Sequence, residues 1–280
     1  MPDRNAGACF TPSLQPHVLH PRVRALGLDA EDALLRRALA RYLEATWVLE
    51  LRVVNEVAAA IADGSTPFTF GDGARVDAEK LEGDESRHAH LADDLMTRLR
   101  LEPATAPPAF HRRFLRLREA SPLPPEVVTF LFTVVSETLL SPALTTMARD
   151  GGVHPALRAF VAEHARDEAW HSTFFAARFA ELWSPLSRRD RDRLGPEIPA
   201  LVRAFLEPDL PAIAVDLESV GFAAEEARAV VSDAYPAASV LGDLRNASRP
   251  TLACLRRAGA LHPGATRDAF TASGLLGEEA

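Results

Sequence analysis

The sequence predicts an all-α fold: a ferritin-like four-helix bundle with extra C-terminal helices. Three observations predict it. Apolar residues recur at steps of three and four through four long segments, strand signals are scarce, and a proline-dense crossover separates the segments two by two. With 280 residues, 47% of them hydrophobic, the chain can bury a sizeable core. It reads as one all-α domain over 1–280, with the bundle at 29–183 and further helices at 187–262 packing on it.

Each element has its own signals. The first 28 residues read as an extended segment wrapping the surface. A first helix runs from Asp29 to Asp63 and stops at Gly64, and the turn-rich "GSTPFTFGDG" leads to a second from Asp77 to Leu101. The stretch from Glu102 to Pro125 carries six prolines, with room for one short helix around "FHRRFLRLRE". It is a long crossover rather than a hairpin. A third helix from Glu126 to Asp150 ends at "DGGVHP", and Pro142 inside it should kink it against the Thr138 carbonyl. The fourth runs from Pro155 to Trp183. Beyond Ser187, Pro196, Pro208, Gly221, Pro236 and Pro250 punctuate shorter helices that cap the bundle or line a substrate entrance.

Composition excludes several functions. A net charge of -8 and a pI near 5.6 argue against a nucleic-acid surface or an anionic-membrane anchor. "RRDRDR" at 188–193 interleaves basic and acidic residues and reads as a solvated helix face. Two cysteines, Cys9 and Cys254, leave no disulfide framework and no Cys-rich metal site. No segment reads as a secretion leader or a membrane span, so a cytoplasmic setting is expected. "GDGARV" is a turn rather than a dinucleotide loop, so reducing equivalents must come from an external electron donor or from the substrate.

The chemistry lies on the apolar stripes. On the fourth helix, His164, Glu168 and His171 share the stripe of Leu157, Val161, Phe175 and Leu182. On the second, Glu85 and His88 share that of Leu81, Ala92, Leu95 and Leu99, so "ESRH" repeats the spacing of "EAWH". Glu50 falls with Leu43, Trp47, Val54, Val57 and Ile61, and Glu137 with Phe130, Val134, Ser141 and Leu144. One Glu from each of two helices and a Glu-x-x-His from each of the others is the ligand pattern of carboxylate-bridged dimetal bundles. Four carboxylates balance two divalent cations in a low-dielectric core, and oxygen and imidazole donors without thiolate suit iron or manganese better than a structural zinc, without choosing between the two.

Blander readings compete with this one. A single Glu on an apolar stripe is more often a helix-edge residue reaching water, and Glu44 and Glu56 rival Glu50, Glu56 being able to pair with Arg52. His164 alone could be a core histidine bonded to a carboxylate. The repeat across four helices is what favours metal. Asp84 and Asp167, each just before a ligand Glu, read as acceptors for the free N–H of a ligand histidine. His17, His20, His90, His111, His154 and His262 fall off the stripes and read as surface or loop residues.

The set Glu50, Glu85, His88, Glu137, His164, Glu168 and His171, with its segments "DESRH" and "HARDEAWH", resembles the diiron p-aminobenzoate N-oxygenase family. The resemblance covers residues 30–185, and its most specific element is the extra histidine one turn before the last Glu-x-x-His. It implies two iron ions, one held by Glu50, Glu85 and His88 and the other by Glu137, His164, Glu168 and His171, with Glu85 and Glu168 bridging. It further implies an enzyme that uses O2 to oxidise a small-molecule amine to a hydroxylamine, nitroso or nitro product, typically in natural-product (antibiotic) biosynthesis. Trp170, between two ligands, departs from the pattern expected of the family.

A diiron C–H hydroxylase or a non-catalytic ferritin-like iron-binding protein would carry the same ligands, and a monomer or homodimer rather than a cage would argue against the storage reading. For substrate, an aryl amine with an acidic group is expected. Arg178, one step past Phe175 on the ligand stripe, and Arg245 and Arg249, in the C-terminal helices, would anchor it through their planar guanidinium forks.

Overall fold

The computed structural model describes residues 8–277, the side chains of 141–143 excepted. Among these residues there is helix and turn but no strand, only an isolated bridge between Ala8 and Val153. A 3-10 turn Pro12–Leu14 and a single turn α1 (Pro21–Arg24) precede the bundle. Its first rod is α2 (Leu28–Leu49), a π-helical turn Glu50–Val54, and α3 (Asn55–Asp63), continuous in sequence and ended by Gly64 at φ 77°. The others are α4 (Ala74–Arg98), α6 (Pro125–Arg149) and α7 (Pro155–Trp183), with α5 (Ala109–Ala120) inside the crossover. Pro125 and Pro155 sit in the first turns of α6 and α7, where a missing N–H costs nothing.

The shell consists of α8 (Arg188–Leu194), a 3-10 turn Gly195–Glu197, α9 (Ile198–Leu206), α10 (Leu210–Ser219), α11 (Ala224–Ala234), α12 (Ala237–Ala247), α13 (Arg249–Arg257) and α14 (Ala265–Ala272). α9 packs on α5 and α6, and the Thr138 and Thr251 hydroxyls join α6 to α13 at 2.6 Å.

The buried apolar residues form two clusters. One holds Val53, Leu81, Val134 and Phe174; the other holds Leu43, Ala92, Leu144 and Val161. Each bundle rod therefore passes from one cluster to the other, and on each rod the crossing point is the stripe position that carries Glu or His.

Several expectations change here. The N-terminal segment is turns and short helices rather than extended chain, and Phe10, Val18 and Val23 anchor it in the core; residues 1–7 lie outside the described residues. On the first rod Thr46 is buried where Trp47 was expected, and Trp47, one turn before the π turn, lies half-buried at the surface. α6 is long and apolar enough to cross a membrane by length and composition, contrary to the sequence reading. Its apolar window is 87% buried inside the bundle, because neighbours cover it on all sides. The kink expected at Pro142 falls on residues whose side chains lie outside the described set; the helix runs through them. His17 is fully buried, with Nδ1 2.8 Å from the Tyr235 hydroxyl, rather than a surface residue.

Candidate metal centre

All seven stripe residues converge in one buried layer. Glu50, Glu85, Glu137, Glu168 and His171 are fully buried, and His88 and His164 are 1% exposed. They form two overlapping groups, Glu50 with His88, His164 and Glu168, and Glu85 with Glu137, Glu168 and His171. In each group one ligand atom per residue lies within 4.8 Å of the others. Glu168 belongs to both, as a bridging carboxylate would. The grouping differs from the one the resemblance implies, since His164 sits with Glu50 and His88. Its Nε2 is 3.0 Å from Glu168 and 3.6 Å from Glu50, and its ring centroid is 4.2 Å from that of His88.

The backbone explains the convergence. Glu-x-x-His and His-x-x-x-Glu spacings stack side chains on one helix face. Glu50 opens the π turn, a device that appears in helices mostly at functional sites because it re-aims one side chain. Nothing in the sequence periodicity signals that turn.

The layer contains too many acceptors for the protein's own donors. Both oxygens of Glu50 and Glu137, one oxygen each of Glu85 and Glu168, and both ring nitrogens of His171 are buried without a hydrogen-bond partner among the described residues. Orphaned buried oxygens on acidic groups are costly, and divalent cations are what this donor set would satisfy. The residues fit a pair of such ions.

Without cations the layer must borrow protons. Burial, then the charge of Glu85, pushes the Glu50 carboxyl well above the usual range; burial, then Glu168, does the same to Glu137. Burial opposes charge on His164, but pairing with Glu168 and Glu50 carries it up to about 10. Burial likewise opposes charge on His171, which pairing with Glu168 and Glu85 carries to about 11. Burial, then the neighbouring His164, lowers His88.

The two aspartates cross between helices. Asp167 on α7 lies 3.1 Å from His88 Nε2 on α4, and Asp84 on α4 lies 3.6 Å from His171 Nε2 on α7. Both histidines then present Nδ1 to the layer, at 3.0 Å and 2.9 Å from Glu85. Arg87, which sequence reasoning missed, ties the pair together: it bonds Asp167 at 2.6 Å and Glu163 at 2.7 Å, and lies 3.8 Å from Asp84. Its offset of two from Glu85 was the available signal. Tyr42 was missed as well; its hydroxyl is buried, and burial, with the charges of Glu50 and Glu168 adding to it, makes it a weaker acid.

The rivals and the outlying residues find other roles. Glu44 accepts the Ala104 N–H at 2.7 Å in the crossover, and the exposed Glu56 lies 3.9 Å from Arg118 rather than pairing with Arg52. Trp170 is half-buried, with Lys80 Nζ 4.3 Å from its ring on one side and the His171 ring edge-on at 5.2 Å, so the departure borders the layer. Arg178 bonds Glu181 at 2.6 Å and lies over Phe174 and Phe70. Arg245 is exposed and donates to the Gly274 carbonyl, and Arg249 is exposed at the start of α13. The helical stripe placed Arg178 on a face, while the i plus three acid beside it takes its charge.

A helical bundle with acids from all four rods and histidines from two defines the class of ferritin-like carboxylate proteins with a candidate dimetal centre. Comparison with known sequences narrows this. The profile described as P-aminobenzoate N-oxygenase AurF matches residues 2–259, and the chain belongs to that family. A curated relative, the 4-aminobenzoate N-oxygenase of Streptomyces thioluteus, is 24% identical over 244 residues, covering 84% of this chain and 69% of the relative.

Proposed function

We propose that the chain is an iron-dependent N-oxygenase that uses O2 to oxidise the amine of a small aromatic substrate. The observation that carries this reading is the layer itself, with His164 joining Glu50 and His88 as an extra neutral donor inside a member of the N-oxygenase family. Glu50, His88, His164 and Glu168 would hold one ion, and Glu85, Glu137, Glu168 and His171 the other. When bound, the pair supplies O2 activation. The chain's own residues do the rest. Asp167 fixes the tautomer and orientation of His88, Asp84 lies 3.6 Å from His171, Arg87 holds Asp167, and the two apolar clusters exclude water on either side. An external donor supplies electrons, and the product is a hydroxylamine, nitroso or nitro compound of a natural-product pathway.

Protein loaded with ferrous iron, a chemical reductant and 18O2 should convert members of an arylamine panel to products carrying the label on nitrogen. Label appearing only on carbon would instead establish a hydroxylase, and no labelled product from any amine would remove the oxygenase reading.

A further inference from the structure

A cavity of about 610 Å³ opens between α2, α4 and the proline-rich crossover. Its walls are Leu43, Trp47, Val48, Met96 and Leu101, and residues 103–108 form its roof. Trp47 precedes Glu50 by three residues, roughly 4.5 Å along the helix, and Asp93 follows His88 by five, roughly 7.5 Å. α2 and α4 run antiparallel, so both offsets place the cavity toward the same end of the bundle from the metal layer; the seven layer residues are at most 1% exposed and do not line it. Its size and mainly apolar walls suit a one-ring organic ligand.

The polar groups at the rim are Glu44, Asp93, Thr97 and Arg100. Glu44 is the half-buried charge among them. One of its oxygens accepts the Ala104 N–H of the roof. Arg100 and Asp93 are exposed, where solvent screens them. Such a rim accepts a donor and repels a second carboxylate. The arginines that would anchor an acid are engaged by Glu181 and the Gly274 carbonyl or, for Arg249, exposed, and none of the three lines this cavity.

We propose that this cavity binds an aromatic amine without a carboxylate, its ring against Trp47, its far end donating to Glu44 and its amine toward the Glu50 turn. The inference rests on the N-oxygenase reading and departs from the substrate in the relative's name, an aminobenzoate.

Calorimetry on the iron-loaded protein with 4-aminobenzamide and 4-aminobenzoate, equal in size and different in charge, tests it. The amide should bind at least about tenfold tighter. Glu44→Gln should erase most of that preference, and Met96→Trp, which fills the cavity while keeping an apolar wall, should abolish binding of both. Equal or tighter binding of the benzoate, unchanged binding in Met96→Trp, or no binding of either probe overturns the proposal. The two readings fail separately. Labelled arylamine turnover with no effect of the cavity variants would remove the cavity alone, whereas amide binding that depends on Met96 and Glu44 without turnover of any amine would remove only the oxygenase reading.

Discussion

Among the described residues the molecule buries acids in two places, and it compensates them in opposite ways. Asp216 on α10, 5% exposed, meets Arg41 directly and Arg37 at 3.7 Å on α2. Glu50 and Glu137 are buried at least as deeply, and among the described residues no arginine or lysine pairs with them; their neighbours are other carboxylates and imidazoles. A buried acid matched by guanidinium is complete in the protein alone and holds a shell helix to the bundle. A buried acid surrounded by acids is complete only when something cationic arrives.

The largest expected effect comes from breaking the first kind of site. Arg41→Ala should destabilise the protein by about 2–3 kcal/mol, less than for a fully isolated buried pair because Arg37 remains beside Asp216. Denaturant melts should show the same loss with and without iron. Next comes the scaffold of the second site. Arg87→Gln should weaken ferrous iron affinity by about 10- to 100-fold, the usual consequence of loosening the groups that orient metal ligands. A competitive chelator titration reads this directly, and Arg87→Lys should recover only part of it, since one ammonium cannot replace the planar fork that bonds Asp167 and Glu163.

A smaller effect, of opposite sign, sharpens the contrast. Glu137→Gln should stabilise the iron-free protein by about 1 kcal/mol, or roughly 2–4 °C in melting temperature, by removing an uncompensated buried acid. The same change should lower iron content. Asp216→Asn, by comparison, should destabilise both forms.

The contrast also has a pH dependence. In the iron-free protein the raised carboxyls of Glu50 and Glu137 bind protons that the unfolded chain releases above about 4.5, so stability falls as pH rises. His164 and His171 act in the same direction: their stabilisation is complete below the unfolded value of 6.5 and is lost as pH climbs through about 10 and 11. His17 acts oppositely. Burial, with Arg41 adding to it, lowers it to about 4, so stability is lost as pH falls from 6.5 toward that value. Melts of iron-free protein from pH 5 to 9 should therefore decline toward alkali, and iron loading should flatten that decline.

Much of this was legible in the sequence because helical spacing reports faces. Glu85, His88, Glu168 and His171 repeat one short pattern on two stripes, and a core cannot hold four acids without a partner. The family resemblance, read over residues 30–185, agrees with the family match over residues 2–259. What spacing does not report is which residue on another helix faces a given side chain. His164 joined Glu50 rather than Glu137 for that reason, His17 found Tyr235 across 218 residues, and Arg178 was engaged by Glu181. The π turn at Glu50 was invisible for a different cause: it changes the period at a single turn, one turn beyond Trp47, which lines the crossover cavity rather than the core.

The central claim is that the buried layer is a dimetal site whose borrowed protons stand in for cations. Titrating iron-free protein anaerobically with ferrous iron, in paired buffers of different ionisation enthalpy, measures both stoichiometry and proton release. Saturation should fall at two ions per chain, with about four protons released near neutral pH, from Glu50, Glu137, His164 and His171. Saturation at one ion, or two ions bound with no net proton release, would contradict it.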